Sequence, residues 1–245
     1  MDALDFSNKT VLVVGGSSGI GNGIAQAFRA QEADVHVWGT RASAADYAGD
    51  EGSNLEGLTY ACVDVASDAA VADASPGFDA LDVLVLCQGT VIYGGGEFKM
   101  PGFRRVLDVN LSSLMACADK FHPMLARAKG AMIVVSSTAA FHSTRGNPAY
   151  NASKAGAVGL ARTLGEAWAR DGIRVNGIAP GLVDTKLTKV TTDNPKRLEA
   201  SLGNIPLRRL GTPADMAGVA LFLASPLSAY VLGQTIIVDG GLLLA

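Results

Sequence analysis

Seven short apolar runs occur along the chain, and most stretches between them have a helical pattern of apolar and polar positions. The runs are four to six residues long and many contain β-branched residues, as is typical of strands buried on both faces of a parallel sheet. Because parallel strands need crossover connections, the pattern predicts repeated βα units. The predicted strands are Thr10–Val14, Val35–Trp38, Leu58–Val63, Val83–Leu86, Ala131–Ser136, Ile173–Ile178 and Thr235–Val238.

A glycine-rich turn follows the first predicted strand and leads into an amphipathic helix over Asn22–Ala30. Residues 15 to 21 of this turn read GGSSGIG. Glycines let a pyrophosphate approach the backbone N–H groups and the positive end of the helix, because no Cβ stands in the way. The strand, turn and helix together predict a dinucleotide-binding segment. Its expected contacts are Gly15, Ser17, Ser18, Gly19, Ile20 and Gly21.

A tyrosine and a lysine four residues apart provide candidate acid/base chemistry. Tyr150 and Lys154 fall on one face of a predicted helix. A free tyrosine has a pKa of about 10, and a nearby positive charge favours its ionised form. Ser137 follows the fifth predicted strand, so its hydroxyl is expected at the sheet edge where ligands bind. These three side chains favour carbonyl reduction or alcohol oxidation.

The order of these features resembles the short-chain dehydrogenase/reductase family over essentially the whole chain. The turn matches the family's TGxxxGxG pattern. The resemblance implies one α/β domain over residues 1–245, a Rossmann fold with a doubly wound, seven-stranded parallel sheet and helices on both faces. It also implies a catalytic tetrad, part of which contacts the cofactor, and further cofactor contacts. The tetrad is Asn110, Ser137, Tyr150 and Lys154; the further contacts are Asp64, Val65, Gly89, Pro180, Gly181, Val183 and Thr185.

The roles of the tetrad are also implied by the resemblance. Hydride passes directly between the nicotinamide and the substrate carbon, while Tyr150 exchanges a proton with the substrate oxygen. Ser137 holds that oxygen, and Lys154 lowers the pKa of Tyr150 and contacts the nicotinamide ribose. Asn110 positions a water in a proton path, and it can also be a structural amide within its helix.

Two segments depart from the family pattern. Val14 stands where the family normally has threonine, and Cys87-Gln88 replaces the first two residues of an asparagine-alanine-glycine segment that ends here in Gly89. Valine removes a hydroxyl that could brace the chain near the fourth strand, and Cys87 replaces an amide that supports the central sheet. We expect altered cofactor affinity with catalysis retained.

The end of the second strand predicts a preference for NADP, with NAD as the other possible cofactor. NAD-dependent relatives usually have an acid at the position of Gly39, where it binds both ribose hydroxyls. Gly39 leaves room for a 2′-phosphate, Thr40 can donate a hydrogen bond, and Arg41 can supply positive charge. Against this preference, Ser18 stands where many NADP-dependent relatives carry a basic residue, and Arg41 could be an ordinary solvated charge.

A substrate lid is expected over residues 182–205, a stretch that mixes polar residues, Pro195 and scattered apolar residues. Such a stretch is typical of a segment that closes over a small molecule. Candidate pocket residues are Tyr93, Phe141, His142 and Leu187.

Composition and charge favour a soluble enzyme domain. Among 245 residues, 49% are hydrophobic, yet there is no apolar run long enough to span a membrane and no secretion signal near Met1, so we expect a cytoplasmic protein. The net charge of -3 argues against nucleic acid as a partner. Cys62, Cys87 and Cys117 lack metal-ligand spacing, so we expect buried free thiols and no metal site.

The substrate is the least determined part of the prediction. The first hypothesis is a ketone reductase that resembles the 3-oxoacyl-carrier-protein reductase branch. The enzymatic alternative is a dehydrogenase of a secondary or cyclic alcohol. A non-catalytic, dinucleotide-binding regulatory protein is the alternative of another class, and the intact tetrad argues against it. A carrier protein could dock on a basic patch, although such charges are usually only solvated. That patch would be Arg127, Lys129, Arg170 and Arg174.

Self-association is implied by the resemblance as well. Relatives pair through their long helices, which correspond here to residues around Met100 to Ala126 and Tyr150 to Asp171. We expect a homotetramer, or else a homodimer.

Overall fold

A seven-stranded, all-parallel sheet forms the centre of the protein in the computed structural model, which describes residues 3–244. The strand order is β3-β2-β1-β4-β5-β6-β7. The chain therefore builds outward from β1 to β3 and then returns to β4, which creates a crevice at the carboxyl ends of β1 and β4. The strands are β1 Thr10–Val14, β2 Asp34–Gly39, β3 Thr59–Cys62, β4 Val83–Leu86, β5 Ala131–Val135, β6 Arg174–Pro180 and β7 Thr235–Val238.

Helices cover both faces of this sheet, and alternate residues of β1 show how. Val11 and Val13 pack in a core with α1 and α8, whereas Leu12 and Val14 pack in a second core with α2, α4 and α5. All four side chains are fully buried, as expected for a strand with helices on each side. The helices are α1 Gly19–Ala30, α2 Asp68–Asp73, α3 Met100–Leu107, α4 Ser113–Ala128, α5 Pro148–Trp168, α6 Lys189–Thr192, α7 Pro195–Asn204 and α8 Pro213–Ala224.

The predicted fold class is confirmed, and all seven predicted strands are present within one or two residues of their expected ends. Two helical boundaries differ more. α1 begins at Gly19, three residues before the predicted start, so the glycine turn forms the first turn of the helix. The long helix expected from Met100 is interrupted by a π-helical turn over Asp108–Ser112. Such turns accommodate an extra residue and are frequent at functional sites.

The three cysteines are free, but they do not share one environment. Cys117 is fully buried, and burial raises the pKa of its thiol to about 12. The prediction of a buried thiol is wrong for Cys62, which is exposed because it ends β3 at the edge of the sheet.

The predicted basic docking patch does not lie beside the crevice. Lys129 is the C-cap of α4, just before β5 begins, and Arg174 is the first residue of β6. Both are therefore at the amino ends of strands, the edge opposite the carboxyl ends. The Arg174 guanidinium is moreover occupied, since it donates to the carbonyls of Leu223 and Ala224 at 2.8 and 3.1 Å. A docking role for Arg174 is contradicted by these contacts.

Within residues 3–244, no helix combines the length and the apolar character needed to cross a lipid bilayer.

Candidate active site

A cavity of about 320 Å³ lies at the carboxyl ends of the central strands. It brings together most of the predicted cofactor contacts, which come from distant parts of the sequence. Arg41, Asp64 and Asn110 do not line it, whereas Gln88, Val109 and Lys186 line it without having been predicted. The predicted residues that line it are Gly15, Ser17, Ser18, Gly19, Ile20, Gly21, Thr40, Val65, Gly89, Ser137, Tyr150, Lys154, Pro180, Gly181, Val183 and Thr185.

The glycine turn fits a dinucleotide because its backbone is closely packed at Gly15 and Gly21, where a side chain has no space. A Cβ on Gly21 would run into the carbonyl oxygen of Gly15. The backbone can therefore approach a pyrophosphate closely, next to the positive N-terminal end of α1. The Gly19 amide donates to the Gly52 carbonyl at 2.8 Å, so the loop around Gly52 packs on this turn. The residues present are those that a nucleotide phosphate requires.

Tyr150 and Ser137 both line this cavity, and Ser137 is near enough to the phenol to influence its pKa. Burial raises the pKa of Tyr150 above its ordinary value, and this effect outweighs the lowering by the hydrogen bond with Ser137. The sequence-based expectation of a lowered pKa is wrong in direction for this structure, because burial dominates. The phenol is therefore held in its protonated form at neutral pH.

The Lys154 ammonium points toward the backbone of β5. Its Nζ donates to the Val135 carbonyl at 2.9 Å and lies 5.8 Å from the centroid of the Tyr150 ring. The residue is only 4% exposed, and burial lowers the pKa of the ammonium to about 8. A buried ammonium with this pKa is close to its titration range at physiological pH.

Asn110 connects three segments of the site from within the π-helical turn. Its Oδ1 accepts from the Thr90 amide at 2.7 Å, and its Nδ2 donates to the Thr90 carbonyl at 2.9 Å and to the Ser153 hydroxyl at 3.2 Å. Ser153 in turn donates to the Tyr150 carbonyl at 2.7 Å. The buried amide thus links the loop after β4 to the helix that carries Tyr150. A structural function is therefore clear, and the function in a water-mediated proton path stays a prediction.

A second cavity, of about 230 Å³, adjoins the first and has largely apolar walls. Three of the four candidate pocket residues line it, namely Tyr93, His142 and Leu187. The Tyr93 hydroxyl donates to the Leu187 carbonyl at 2.9 Å, which connects the predicted lid segment to the loop after β4. Phe141 does not line this cavity and is 47% exposed, so its prediction as a pocket residue is not supported.

The two departures from the family pattern have different structural consequences. Val14 is fully buried, and its backbone carbonyl accepts from the Cys87 amide at 2.9 Å, so β1 and β4 stay connected through the main chain. Gln88 is also buried and donates from Nε2 to the Ser113 hydroxyl at 2.9 Å, while its Oε1 has no partner. This amide joins the cavity wall to the start of α4.

The end of β2 is more crowded than the sequence suggests. A Cβ on Gly39 would lie 2.8 Å from both the Ser17 Oγ and the Tyr47 hydroxyl oxygen. Tyr47 accepts at that oxygen from the Thr40 amide at 3.2 Å, so the space beside Gly39 is filled. A side chain at this position would therefore have to displace Ser17 or Tyr47, and the expectation that Gly39 leaves free space is wrong on the side where a Cβ would project.

Arg41 is an organised charge and not a freely solvated one. Its guanidinium lies 4.4 Å from the centroid of the Tyr47 ring and forms a 2.7 Å ion pair with Asp50. Asp50 also pairs with Lys186 of the predicted lid segment at 2.5 Å. The end of β2 and this segment are therefore connected through one carboxylate.

Comparison with known proteins agrees with this arrangement. A family model described as enoyl-(acyl carrier protein) reductase matches residues 14–243. The chain belongs to the short-chain dehydrogenase/reductase family. It is an oxidoreductase that acts on CH–OH groups with NAD(P), and the resemblance seen in the sequence is confirmed.

Two curated relatives have comparable similarity and different substrates. The 3-oxoacyl-[acyl-carrier-protein] reductase FabG of Chlamydia muridarum is 36% identical, over 96% of this chain and 97% of that protein. The 2-dehydro-3-deoxy-D-gluconate 5-dehydrogenase of Bacillus subtilis is 37% identical, over 98% and 96%. Among solved structures, the NADP complex of Pseudomonas aeruginosa RhlG has a TM-score of 0.89 and 31% identity, over 99% of both chains. Similarity to these proteins settles the family and leaves the substrate open.

Proposed function

We propose that this protein reduces a ketone with NADPH and that Ser137 and Tyr150 act directly on the carbonyl oxygen. One observation carries the proposal: both side chains line the cofactor cavity and also the adjoining apolar cavity. A carbonyl in the second cavity would therefore meet the nicotinamide of a cofactor in the first cavity next to this hydroxyl pair. When bound, the nicotinamide supplies the hydride.

Residues of this chain would stabilise the charge that develops on the carbonyl oxygen and would supply its proton. The Ser137 hydroxyl would stabilise negative charge that develops on the oxygen, and Tyr150 would donate a proton to that oxygen. The phenol of Tyr150 is protonated at neutral pH, as a proton donor must be, because its pKa lies above its ordinary value. Lys154 would hold the ribose beside Tyr150, and Asn110 would fix the helix that carries both residues.

The preference for NADPH rests on the end of β2. Gly39 carries no carboxylate that would repel a 2′-phosphate. The Arg41 guanidinium donates to the Asp46 carbonyl and forms an ion pair with the partly exposed Asp50. A phosphate could replace that carboxylate as the partner of the guanidinium, since arginine binds both groups in the same bidentate geometry. Solved relatives with bound NADP, from Agrobacterium tumefaciens and Beutenbergia cavernae among others, support the same cofactor.

The substrate cavity supports an uncharged, largely apolar ketone, with a 3-oxoacyl thioester as the leading class. Its walls include Val91, Leu182 and Leu242, and no lysine or arginine lines it in the described part of the chain. Such a cation would bind the carboxylate of a sugar acid through strong charge-assisted hydrogen bonds. The same apolar walls favour a cyclic secondary alcohol as the alternative, and a 7α-hydroxysteroid dehydrogenase of Escherichia coli is 36% identical.

The test is loss of absorbance at the reduced-nicotinamide band. NADPH and NADH would be compared across 3-oxoacyl thioesters, cyclic ketones and sugar acids, and Tyr150→Phe is the control. We expect NADPH-dependent turnover that the substitution abolishes. Tight nucleotide binding without Tyr150-dependent turnover in either direction would instead support the regulatory alternative.

Self-association through α4 and α5 is also part of the proposal. Met115 of α4 is 41% exposed, although it is apolar, and its burial against another copy would remove that surface from water. Light scattering during size-exclusion chromatography would distinguish a tetramer from a dimer or a monomer. The cytoplasmic location stays a prediction of the sequence.

A further inference from the structure

A buried glutamate lies beside the catalytic helix and has no part in the proposed chemistry. Glu97 belongs to a short 3-10 helix over Gly96–Phe98 in the loop between β4 and α3, and it is 1% exposed. None of the ion pairs found among residues 3–244 includes it. A buried acid without a cationic partner is costly unless hydrogen bonds compensate for its desolvation, so its contacts need an explanation.

All hydrogen-bond partners of Glu97 are N–H donors. Its Oε2 accepts from the Tyr150 amide at 2.9 Å. Its Oε1 accepts from the Ile92 amide at 3.0 Å and from the Asn147 side-chain amide at 3.2 Å. An ionised carboxylate fits this environment, because both oxygens accept and neither needs to donate.

The contact with Tyr150 replaces an ordinary helix cap. Asn147 is the N-cap residue of α5, but its side chain makes no capping hydrogen bond. Tyr150 is the third residue of that helix, and its amide is one of the groups that an N-cap side chain normally satisfies. Glu97 therefore performs this function from a different segment, and it does so at the residue proposed as the proton donor.

The other contacts of Glu97 fix the wall of the substrate cavity. Ile92 lies between Val91 and Tyr93, which both line that cavity. The carboxylate thus holds the cavity wall and the proton donor in one arrangement. Its negative charge is also among the causes that raise the pKa of Tyr150, after burial and the charges of Tyr93 and Cys87.

We propose that Glu97 is a positioning residue for the reaction, which sets the place of Tyr150 relative to the substrate-cavity wall and brings a negative charge to the Tyr150 main chain. This inference rests on the proposed function for its kinetic part. Glu97 lines neither cavity, so it would touch neither the substrate nor the cofactor. It is therefore not a catalytic residue. It acts through Tyr150.

Two substitutions separate the charge of Glu97 from its position. Glu97→Gln keeps the size but removes the charge and places an NH2 group opposite an N–H donor. Glu97→Asp keeps the charge but is one methylene too short to keep all three contacts. Glu56→Gln, at an exposed glutamate outside both cavities, is the matched control.

Three measurements are needed: kcat and KM for ketone reduction, the Kd for NADPH, and the titration of Tyr150. That titration is the tyrosinate absorbance of each protein minus the absorbance of its Tyr150→Phe counterpart. Besides Glu97, the ionisable groups facing Tyr150 are Tyr93, Cys87, Lys154 and His142. All of these are unchanged in the variants, so a change in the titration reports on Glu97.

For Glu97→Gln we expect kcat to fall by about tenfold or more, because small displacements of a reacting group have large kinetic effects. The Kd for NADPH should stay within about twofold, and Tyr150 should ionise at lower pH than in the wild type, because a neighbouring negative charge has been removed. For Glu97→Asp we expect a lower kcat with less change in the titration. The control should match the wild type.

A Glu97→Gln protein with wild-type kcat and an unchanged Tyr150 titration would overturn the inference, and so would a loss of stability alone. If that variant does not fold, Glu97→Asp decides, and a kcat within about twofold of wild type refutes a positioning role. If the wild type reduces no ketone, the proposed function fails, and the Tyr150 titration still tests the effect of Glu97.

Discussion

Replacing Lys154 by methionine should stabilise the protein at neutral pH while abolishing its activity. Methionine retains most of the buried stem and removes the ammonium. Burial lowers the pKa of that ammonium from 10.5 to about 8, and a shift of this size corresponds to a cost of about 3 kcal/mol for keeping it charged in the folded protein. The substitution also leaves the Val135 carbonyl without its donor, which costs about 1 kcal/mol. The variant should therefore be more stable by about 2 kcal/mol at pH 7.

The pH dependence of this difference is the sharper test. A lysine whose pKa is lower in the folded state binds fewer protons there, so the folding stability of the wild type rises with pH between about 8 and 10.5. The variant lacks this contribution. The advantage of the variant should therefore shrink by about 2 kcal/mol between pH 7 and about pH 9.5. The lost hydrogen bond to Val135 lowers the stability of the variant equally at both pH values, so it does not affect this change.

Urea unfolding of both proteins, without cofactor and at one protein concentration, would measure the difference at each pH. Lys120→Met is the matched control, because the Lys120 Nζ also donates to a backbone carbonyl, that of Ala72 at 2.8 Å, but at the exposed surface. It should show a much smaller pH-dependent difference. A Lys154→Met difference that is flat across this range, or that grows with pH, would refute the conclusion that burial depresses the pKa of Lys154.

Three further outcomes follow from the adenosine end of the cavity and from the thiols. Gly39→Asp should weaken both cofactors, because its Cβ would lie 2.8 Å from the Tyr47 hydroxyl oxygen, and a higher kcat/KM with NADH would contradict this. Arg41→Ala should lower kcat/KM with NADPH by about 10- to 100-fold and leave NADH little changed, as expected for a lost charge-assisted contact, whereas equal losses with both would exclude phosphate recognition. A maleimide followed by mass spectrometry should label exposed Cys62 in the native protein and leave buried Cys117 unmodified, and native labelling of Cys117 would contradict its burial.

The fold class, and the grouping of most predicted site residues around one cavity, could be predicted because they depend on local sequence patterns. A strand buried on both faces of a parallel sheet appears in the sequence as a continuous apolar run, as in Val83–Leu86. It can therefore be found without knowing which strands lie next to it. The glycine turn and the pair of Tyr150 with Lys154 have fixed spacings that place them on known elements. Because such spacings determine where the side chains lie on a strand, turn or helix, nearly all of the predicted cofactor residues line one cavity in the structure.

The remaining features depend on partners that are distant in the sequence. Burial by neighbouring segments reverses the expected direction of the Tyr150 pKa shift, and the partner of Arg41 is Asp50, in a loop with no distinctive pattern. Arg174 binds the end of α8, which is 49 residues away in the chain at its Leu223 contact. Glu97 follows three glycines in a loop, and nothing in that context indicates a buried carboxylate. Such contacts exist only after the chain is folded.

The π-helical turn over Asp108–Ser112 constrains how this segment can change in length. Each residue added to or removed from a helix rotates everything beyond it by about 100°. The extra residue of the π turn permits Asn110 to face Thr90 and Ser153 while Phe121 of α4 faces the core. Substitutions here alter single contacts, but a one-residue deletion would rotate α4 relative to the sheet. We therefore expect engineered or natural variants of this segment to tolerate changes of residue type at positions other than Asn110 and to reject changes of length.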